Sequence, residues 1–221
     1  MAWFGADPGG ANAFGVALLH SDGSFESAVV SCADEAIDRL RKSGASIEAA
    51  GIDAPLWWSS GESGGRRADQ AIREKLHSVE AKNVGGTVQS ANSLRGAALV
   101  QGVMLAALLR RRCPEVSISE CHPKALLKLW GIDSKEVRPS LESVRGRFRL
   151  ADGVAPSEHE RDALIAAVAA REGAPGPWKC DLAKKRFSSE QDPDRVPWGP
   201  VSYWWPEELD DVNEIESIYR D

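Results

Sequence analysis

The sequence has little of what marks several large classes of protein. Its four cysteines, Cys32, Cys113, Cys121 and Cys180, lie far apart and form no C-x-x-C pair. That spacing argues against a zinc ribbon or a disulfide framework, so we predict free thiols. The longest nearly uncharged run, residues 97–109, has 13 residues, whereas a membrane span needs about 20 apolar residues. We therefore expect no contact with a membrane.

An excess of basic residues is also missing. The net charge is −6, and residues 205–221 hold seven acids and one base, which leaves 26 acids and 26 bases in residues 1–204. Because residues 1–204 are neutral overall, they have no domain-wide positive potential that would attract nucleic acid. The amino terminus lacks the basic and then apolar pattern of a secretory signal, so we expect a cytoplasmic protein.

The residues that are present describe one globular domain with an appendage. The chain has 221 residues, of which 43% are hydrophobic and 27% charged, a balance typical of a single packed core. We assign residues 1–173 to this domain. Residues 174–221 hold four of the eight tryptophans among prolines, with no clear period, and we predict an irregular arm with an acidic tail. Because buried aromatic rings are favourable, we expect the arm to wrap back over the domain or to dock on a second copy as a homodimer.

Hydrophobic periodicity and turn signals predict the order of strands and helices. We expect strands at 2–6, 13–20, 25–31, 47–54 and 116–121, and helices at 33–42, 66–77, 91–112, 124–130 and 138–150. The helix over 91–112 is apolar on all sides at its centre, which predicts that it is buried. Ser157 and Glu160 form a capping box for a last helix that ends at Gly173.

This order predicts an α/β fold. A three-strand antiparallel meander followed by alternating strands and helices indicates a mixed five-stranded sheet flanked by helices, with the later strands parallel to the first. That is the ribonuclease H-like order.

Acidic residues end three of the predicted strands. Asp7, Asp53 and Glu120 follow strands that we expect to be parallel, so the three carboxylates should meet at the carboxyl edge of the sheet. His159 and Asp162 share one face of the capped helix. Clustered carboxylates suit a hard divalent cation such as Mg²⁺ or Mn²⁺, and two such ions support phosphodiester hydrolysis.

Several nearby residues allow two interpretations each. Arg67 and Arg73 either form a salt-bridge ladder with Asp69 or bind substrate phosphates. Trp57 is either a core residue or a platform for stacking a base, and His122 either a strand terminator or a ligand.

Four segments in this order resemble the predicted RNase H-like nucleases of domain-of-unknown-function family 429, over roughly residues 1–172. The segments are Gly51-Ile52-Asp53-Ala54-Pro55-Leu56, Arg67-x-Asp69-x-x-x-Arg73, Glu120-Cys121-His122-Pro123 and Glu160-Arg161-Asp162-Ala163-Leu164. His159-x-x-Asp162 is also similar to the last helix of RuvC-like resolvases. The resemblance implies that Asp7, Asp53 and Asp162 are metal ligands, that Glu120 is a fourth acid and that His159 is a ligand or proton carrier.

Three functions remain open on the sequence. The first is a divalent-metal-dependent nuclease or phosphodiester hydrolase, the second an ATP-dependent phosphotransferase of the actin and sugar-kinase type, and the third a non-catalytic binding module. If nucleic acid binds, we expect a local interaction of modest affinity, since the body is neutral. The arginines expected to carry it are Arg66, Arg67, Arg73 and those of residues 145–149.

Overall fold

The computed structural model of the protein describes residues 1–10, 12–59, 66–79, 81–82, 84, 96–174 and 176–209. Within these ranges the strands are β1 Ala2–Asp7, β2 Phe14–His20, β3 Phe25–Val30, β4 Ile47–Ile52, β5 Ser117–Glu120, β6 Cys180–Asp181 and β7 Val201–Trp205. The helices are α1 Ala33–Ser43, α2 Arg67–Ser78, α3 Gly96–Arg112, α4 Pro123–Leu129, α5 Val137–Phe148 and α6 Glu158–Gly173. None of these helices is long and apolar enough to cross a membrane.

The strands form one mixed sheet in the order β3-β2-β1-β4-β5-β7-β6. The predicted meander is confirmed, because β1 pairs antiparallel with β2 and β2 with β3. The predicted parallel arrangement is confirmed too, because β4 lies parallel to β1 and β5 parallel to β4. The predicted count of five strands is wrong, since the sheet has seven.

The two missed strands lie in the segment that was predicted to be irregular. β7 runs parallel to β5, and β6 pairs antiparallel with β7. Val201, Tyr203 and Trp205 are buried at every second position of β7, which is the period of a strand. Five residues between two prolines give a weak signal, and the two residues of β6 give none. The described part of the arm therefore wraps back over the domain as we expected, whereas the acidic tail after residue 209 lies outside the described residues and a homodimer remains a prediction.

Glycines on three strands allow α6 to lie directly on the sheet. A Cβ atom at Gly5 would come within 1.8 Å of the Ala163 carbonyl oxygen, and one at Gly51 within 2.1 Å of the Ala166 carbonyl oxygen. At Gly15 on β2 it would come within 2.0 Å of the His159 carbonyl oxygen. Backbone contact at this distance requires residues without a side chain. The glycines therefore set where the first turn of α6 lies on the sheet.

The start of α6 is held by the predicted capping box. The Glu160 backbone N–H donates to Ser157 Oγ at 3.2 Å, and the Ser157 backbone N–H donates to Glu160 Oε2 at 3.2 Å. Ser27 Oγ on β3 donates to the other oxygen of Glu160 at 3.1 Å. The sheet itself thus fixes the amino terminus of the helix.

Helices α1 and α3 pack against each other, and α3 is not buried all round as predicted. Leu105, Ala106 and Leu109 are buried, but Val100 and Met104 are 56% and 42% exposed. Because α3 is apolar on its solvent side as well, its composition predicted more burial than the structure shows. The part of the prediction that covers residues 91–95 lies outside the described residues.

Candidate active site at the carboxyl edge of the sheet

Asp7 and Asp53 lie side by side at the carboxyl ends of β1 and β4. The strands are in register through Ala6 and Ile52, and the Asp53 backbone N–H donates to the Ala6 carbonyl at 2.8 Å. Both carboxyl side chains are 17% exposed. The predicted meeting of these two acids at one sheet edge is thus found in the structure.

His159 lies against Asp7. Asp7 is opposite Gly15 in the β1–β2 register, and the first turn of α6 lies on Gly15. His159 Nδ1 is consequently 2.7 Å from Asp7 Oδ2. Its ring is 30% exposed, so it can exchange protons with solvent.

A second histidine forms a similar pair with Asp53. His122, directly after β5, places Nδ1 3.2 Å from Asp53 Oδ1. The sequence allowed two interpretations of His122, and in the structure its ring lies against Asp53. The signal was its position, because the residue after a parallel strand lies at the same edge as Asp53.

Asp162 joins the site from the second turn of α6 and is 1% exposed. Arg161 donates from Nε and a terminal nitrogen to Asp162 Oδ1 at 2.8 Å and 2.7 Å. Arg161 is fully buried and also donates to the Ser134 carbonyl and Ser140 Oγ, so it is a fixed partner. Lys124 Nζ lies 4.0 Å from Asp162 Oδ2 and 3.7 Å from Glu158 Oε2. Arg161 and Lys124 were both missed by the sequence analysis.

The three aspartates act on one another electrostatically. Burial and the charges of Asp53 and Asp162 together raise the pKa of Asp7 to about 7, although the hydrogen bond from His159 opposes this. Burial and the charge of Asp53 raise the pKa of Asp162 to about 6, although Arg161 opposes this. Both groups therefore ionise less readily than exposed aspartates, a pattern that is concentrated at functional sites.

The pKa values of the two histidines are raised, which complements the acids beside them. The hydrogen bond to Asp7 raises the pKa of His159 although burial opposes it. Burial opposes protonation of His122, but the hydrogen bond to Asp53 and the charges of Asp53, Asp69 and Glu120 together outweigh it and raise the pKa of His122. Asp7 and Asp53 thus each lie beside an imidazole that can donate a proton.

The stability of the protein without metal should depend on Asp7 and on pH. A carboxyl group whose pKa is higher in the folded than in the unfolded chain costs stability as the pH rises from about 4 to about 7. Asp7→Asn cannot ionise, and we expect it to raise the melting temperature by several degrees at pH 8 and less at pH 5, because one pKa unit equals about 1.4 kcal/mol. Thermal unfolding in a chelator measures this.

Asp38→Asn is the matched control, because Asp38 pairs with Arg41 on the exposed side of α1 and both are more than half exposed. Its melting temperature should follow the wild type at both pH values. A lower melting temperature of Asp7→Asn at pH 8 would contradict the unfavourable ionisation of Asp7.

The acid cluster offers carboxylate oxygens to a metal ion. Within the described residues, no three His, Cys, Asp or Glu side chains are arranged to hold a metal ion. Oxygens of Asp7 and Asp162 instead accept hydrogen bonds from His159 and Arg161. Asp162 is buried and Asp7 and Asp53 are partly buried, and a hard cation relieves the repulsion between such carboxylates. Carboxylate oxygens are also the donors that Mg²⁺ and Mn²⁺ prefer.

Glu120 is held in a different cluster. Arg66 donates to its two carboxyl oxygens at 2.8 Å and 2.5 Å, and to those of Asp69 at 2.8 Å each. All three side chains are at most 3% exposed. Glu120 Oε2 also accepts from the Leu56 backbone N–H at 2.9 Å. Glu120 thus holds the chain that follows Asp53, and Arg66 has no surface on which to bind nucleic acid.

The predicted substrate-binding residues lie next to this cluster. Trp57 is 2% exposed, its indole N–H donates to Glu190 Oε2 at 2.7 Å, and its ring packs edge-on against Tyr203. It is a core residue here and offers no face to a base. Arg67 and Arg73 lie on α2. The Arg67 backbone N–H donates to Glu190, and Arg73 Nε donates to the Asp69 carbonyl at 3.4 Å.

The fold and this site together define a mixed α/β protein with a buried cluster of acids at the carboxyl edge of its parallel strands. Residues 5–185 match the model of the family described as "Protein of unknown function (DUF429)", and the chain belongs to that family. The match extends into β6 and so beyond the region of the predicted resemblance. Comparisons with curated proteins and with solved structures each gave no match.

Proposed function

We propose that this protein is a divalent-metal-dependent phosphodiester hydrolase acting on nucleic acid, with a ribonuclease H-like fold. The observation that carries the proposal is the meeting of Asp7, Asp53 and Asp162 from two strands and a helix. The pKa of Asp7 is raised to about 7 and that of Asp162 to about 6, in each case partly by the charge of Asp53. A divalent cation favours the ionised form of such carboxylates, so this cluster is suited to bind one.

The strand order supports the fold part of the proposal. Strands β3-β2-β1-β4-β5, with β2 antiparallel to its neighbours and β4 and β5 parallel to β1, follow the ribonuclease H-like order. In open sheets of this kind, ligands bind at the carboxyl ends of the parallel strands. Asp7 and Asp53 lie at those ends.

The chain's own residues have separate tasks. Asp7, Asp53 and Asp162 would hold the cation, which supplies activation of a water and stabilisation of charge on the phosphodiester oxygens. His159 holds a proton at Nδ1 next to Asp7, and its exposure suits it to carry that proton to or from solvent. Arg161 fixes the orientation of Asp162, and Lys124 places a positive charge beside the acids where a phosphate would approach.

Asp162→Asn should abolish metal-dependent cleavage. The metal contributes several kcal/mol to the transition state, so we expect the rate to fall at least about 100-fold. The measurement is cleavage of labelled single-stranded and duplex DNA and RNA with Mn²⁺ or Mg²⁺, together with Mn²⁺ binding by calorimetry. Asp38→Asn, on the other face of the sheet, is the control and should cleave like the wild type.

Two results would overturn the proposal. One is cleavage by Asp162→Asn at the wild-type rate, and the other is a wild-type protein that neither binds Mn²⁺ nor cleaves any of the four substrates. In the second case, thermal stabilisation by ATP would indicate the phosphotransferase instead. Absence of both effects would favour the binding module.

A further inference from the structure

We propose that the surface of α4 and α5 binds the phosphate backbone of single-stranded nucleic acid and leads it to the acid cluster. The α4–α5 track consists of Lys124, Lys128, Trp130 and Arg147. The track rests on the proposed function for the cleavage step at the acid cluster, but the binding of nucleic acid along the track does not require catalysis.

The track begins at the acid cluster. Lys124 Nζ is 4.0 Å from Asp162 Oδ2 and its side chain is 47% exposed. Lys128 is one turn further along α4, on the same side of the helix as Lys124. Trp130 caps the end of α4, and the Arg147 guanidinium lies 5.2 Å from its ring centroid. Two lysines thus lead away from the acid cluster along α4, and the pair of Arg147 and Trp130 lies at the end of that helix.

Charge distinguishes this part of the chain from the rest. Residues 123–150 hold seven bases and three acids, whereas the other residues hold 20 bases and 30 acids. Part of this excess is used internally, because Arg138 pairs with Glu142, Arg145 pairs with Asp152 and Lys128 Nζ donates to the Lys82 carbonyl. Arg147 is exposed and has only the Trp130 ring as its described partner. A local basic surface on an acidic protein is an electrostatic footprint for a polyanion.

The aromatic part of the track favours a single strand. Trp130 is half-buried and packs on Phe148 at 5.1 Å between ring centroids, with Arg147 beside it. Proteins that bind single strands combine cations that follow the backbone with aromatic rings on which unpaired bases stack. A duplex offers no unpaired base to such a ring.

Binding to a labelled 20-nucleotide oligothymidylate tests the track. Fluorescence anisotropy in a chelator, at several salt concentrations, reports affinity without cleavage. We expect Arg147→Gln and Lys128→Gln each to weaken binding roughly five- to tenfold and to lower the salt slope by about 0.7, which is the loss of one phosphate contact. Arg147→Lys keeps the charge and should retain most of the affinity.

Arg41→Gln is the matched control, since it removes one positive charge from the exposed side of α1, and it should bind like the wild type. Three results would overturn the track. They are an equal loss of affinity in this control, wild-type affinity in both track variants, and no binding by the wild type. Tighter binding to a duplex of the same length or to anionic lipid vesicles would overturn its assignment to single strands.

The two proposals fail in different ways. Binding that depends on Arg147 and Lys128 without cleavage in Mn²⁺ would leave the track standing and remove the hydrolase. Cleavage that is unchanged in both track variants, with unchanged affinity, would leave the hydrolase standing and remove the track.

Discussion

Truncation after Gly173 is expected to give a fragment that does not fold. It removes β7, which pairs with β5 inside the sheet, and with it the buried rings of Trp178, Tyr203 and Trp205. Loss of one large buried aromatic residue costs about 3–5 kcal/mol, so losing three costs about 9–15 kcal/mol, which is as large as the whole ~5–15 kcal/mol stability of a typical domain. Circular dichroism and soluble yield measure the outcome.

Three hydrogen bonds made by this segment add to this expectation. Glu190 accepts hydrogen bonds from the Trp57 indole at 2.7 Å and from the Arg67 backbone at 2.7 Å, and the Trp198 indole donates to the Leu56 carbonyl at 2.9 Å. These bonds hold the chain that follows Asp53. Truncation after Leu209 is the control and should fold with the wild-type melting temperature. A soluble 1–173 fragment with a cooperative, wild-type unfolding transition would show that the carboxyl-terminal segment is dispensable.

Arg66→Met is expected to destabilise the protein by about 3–5 kcal/mol, because it leaves Asp69 and Glu120 buried without their shared cation. The three side chains are at most 3% exposed, so water cannot replace the guanidinium. Arg66 also lies 4.4 Å from the Trp57 ring centroid, which adds a cation–π contact. Urea-induced unfolding at pH 7 measures the change in the free energy of unfolding.

The triple variant Arg66→Met, Asp69→Asn, Glu120→Gln separates charge from packing. Because it removes the unpaired charges as well, it should recover part of the lost stability. Arg41→Met, at an exposed position on α1, should change stability by less than about 0.5 kcal/mol. A loss below about 1 kcal/mol in Arg66→Met would mean that the buried cluster contributes little to the fold.

The sequence was sufficient for part of the candidate site. The carboxyl ends of parallel strands lie at one edge, so Asp7 and Asp53 could be placed together. The capped helix put His159 and Asp162 on one face, and the resemblance to the family implied that this face meets the strand acids. The pairing of His122 with Asp53 was within reach of the same argument, but a histidine before a proline also has an ordinary structural interpretation.

Glu120 shows where that reasoning stops. It ends β5 and is in register with Ile52 of β4, so the sheet does bring it to the expected edge. Its side chain nevertheless pairs with Arg66, 54 positions earlier. A strand pattern gives the position of a backbone, whereas the partner of a buried carboxylate is the nearest cation that packing brings to it.

By itself, therefore, the sequence determined the strand order from β1 to β5, the capped helix α6 and the meeting of Asp7 with Asp53, because each depends on hydrophobic period, turn residues or strand direction. The tertiary structure alone decided that β7 pairs with β5, that Trp57 is a core residue and that Glu120 forms an ion pair with Arg66. These features depend on contacts between residues far apart in the chain, whose free energy comes from burial and charge pairing and leaves no period in the sequence.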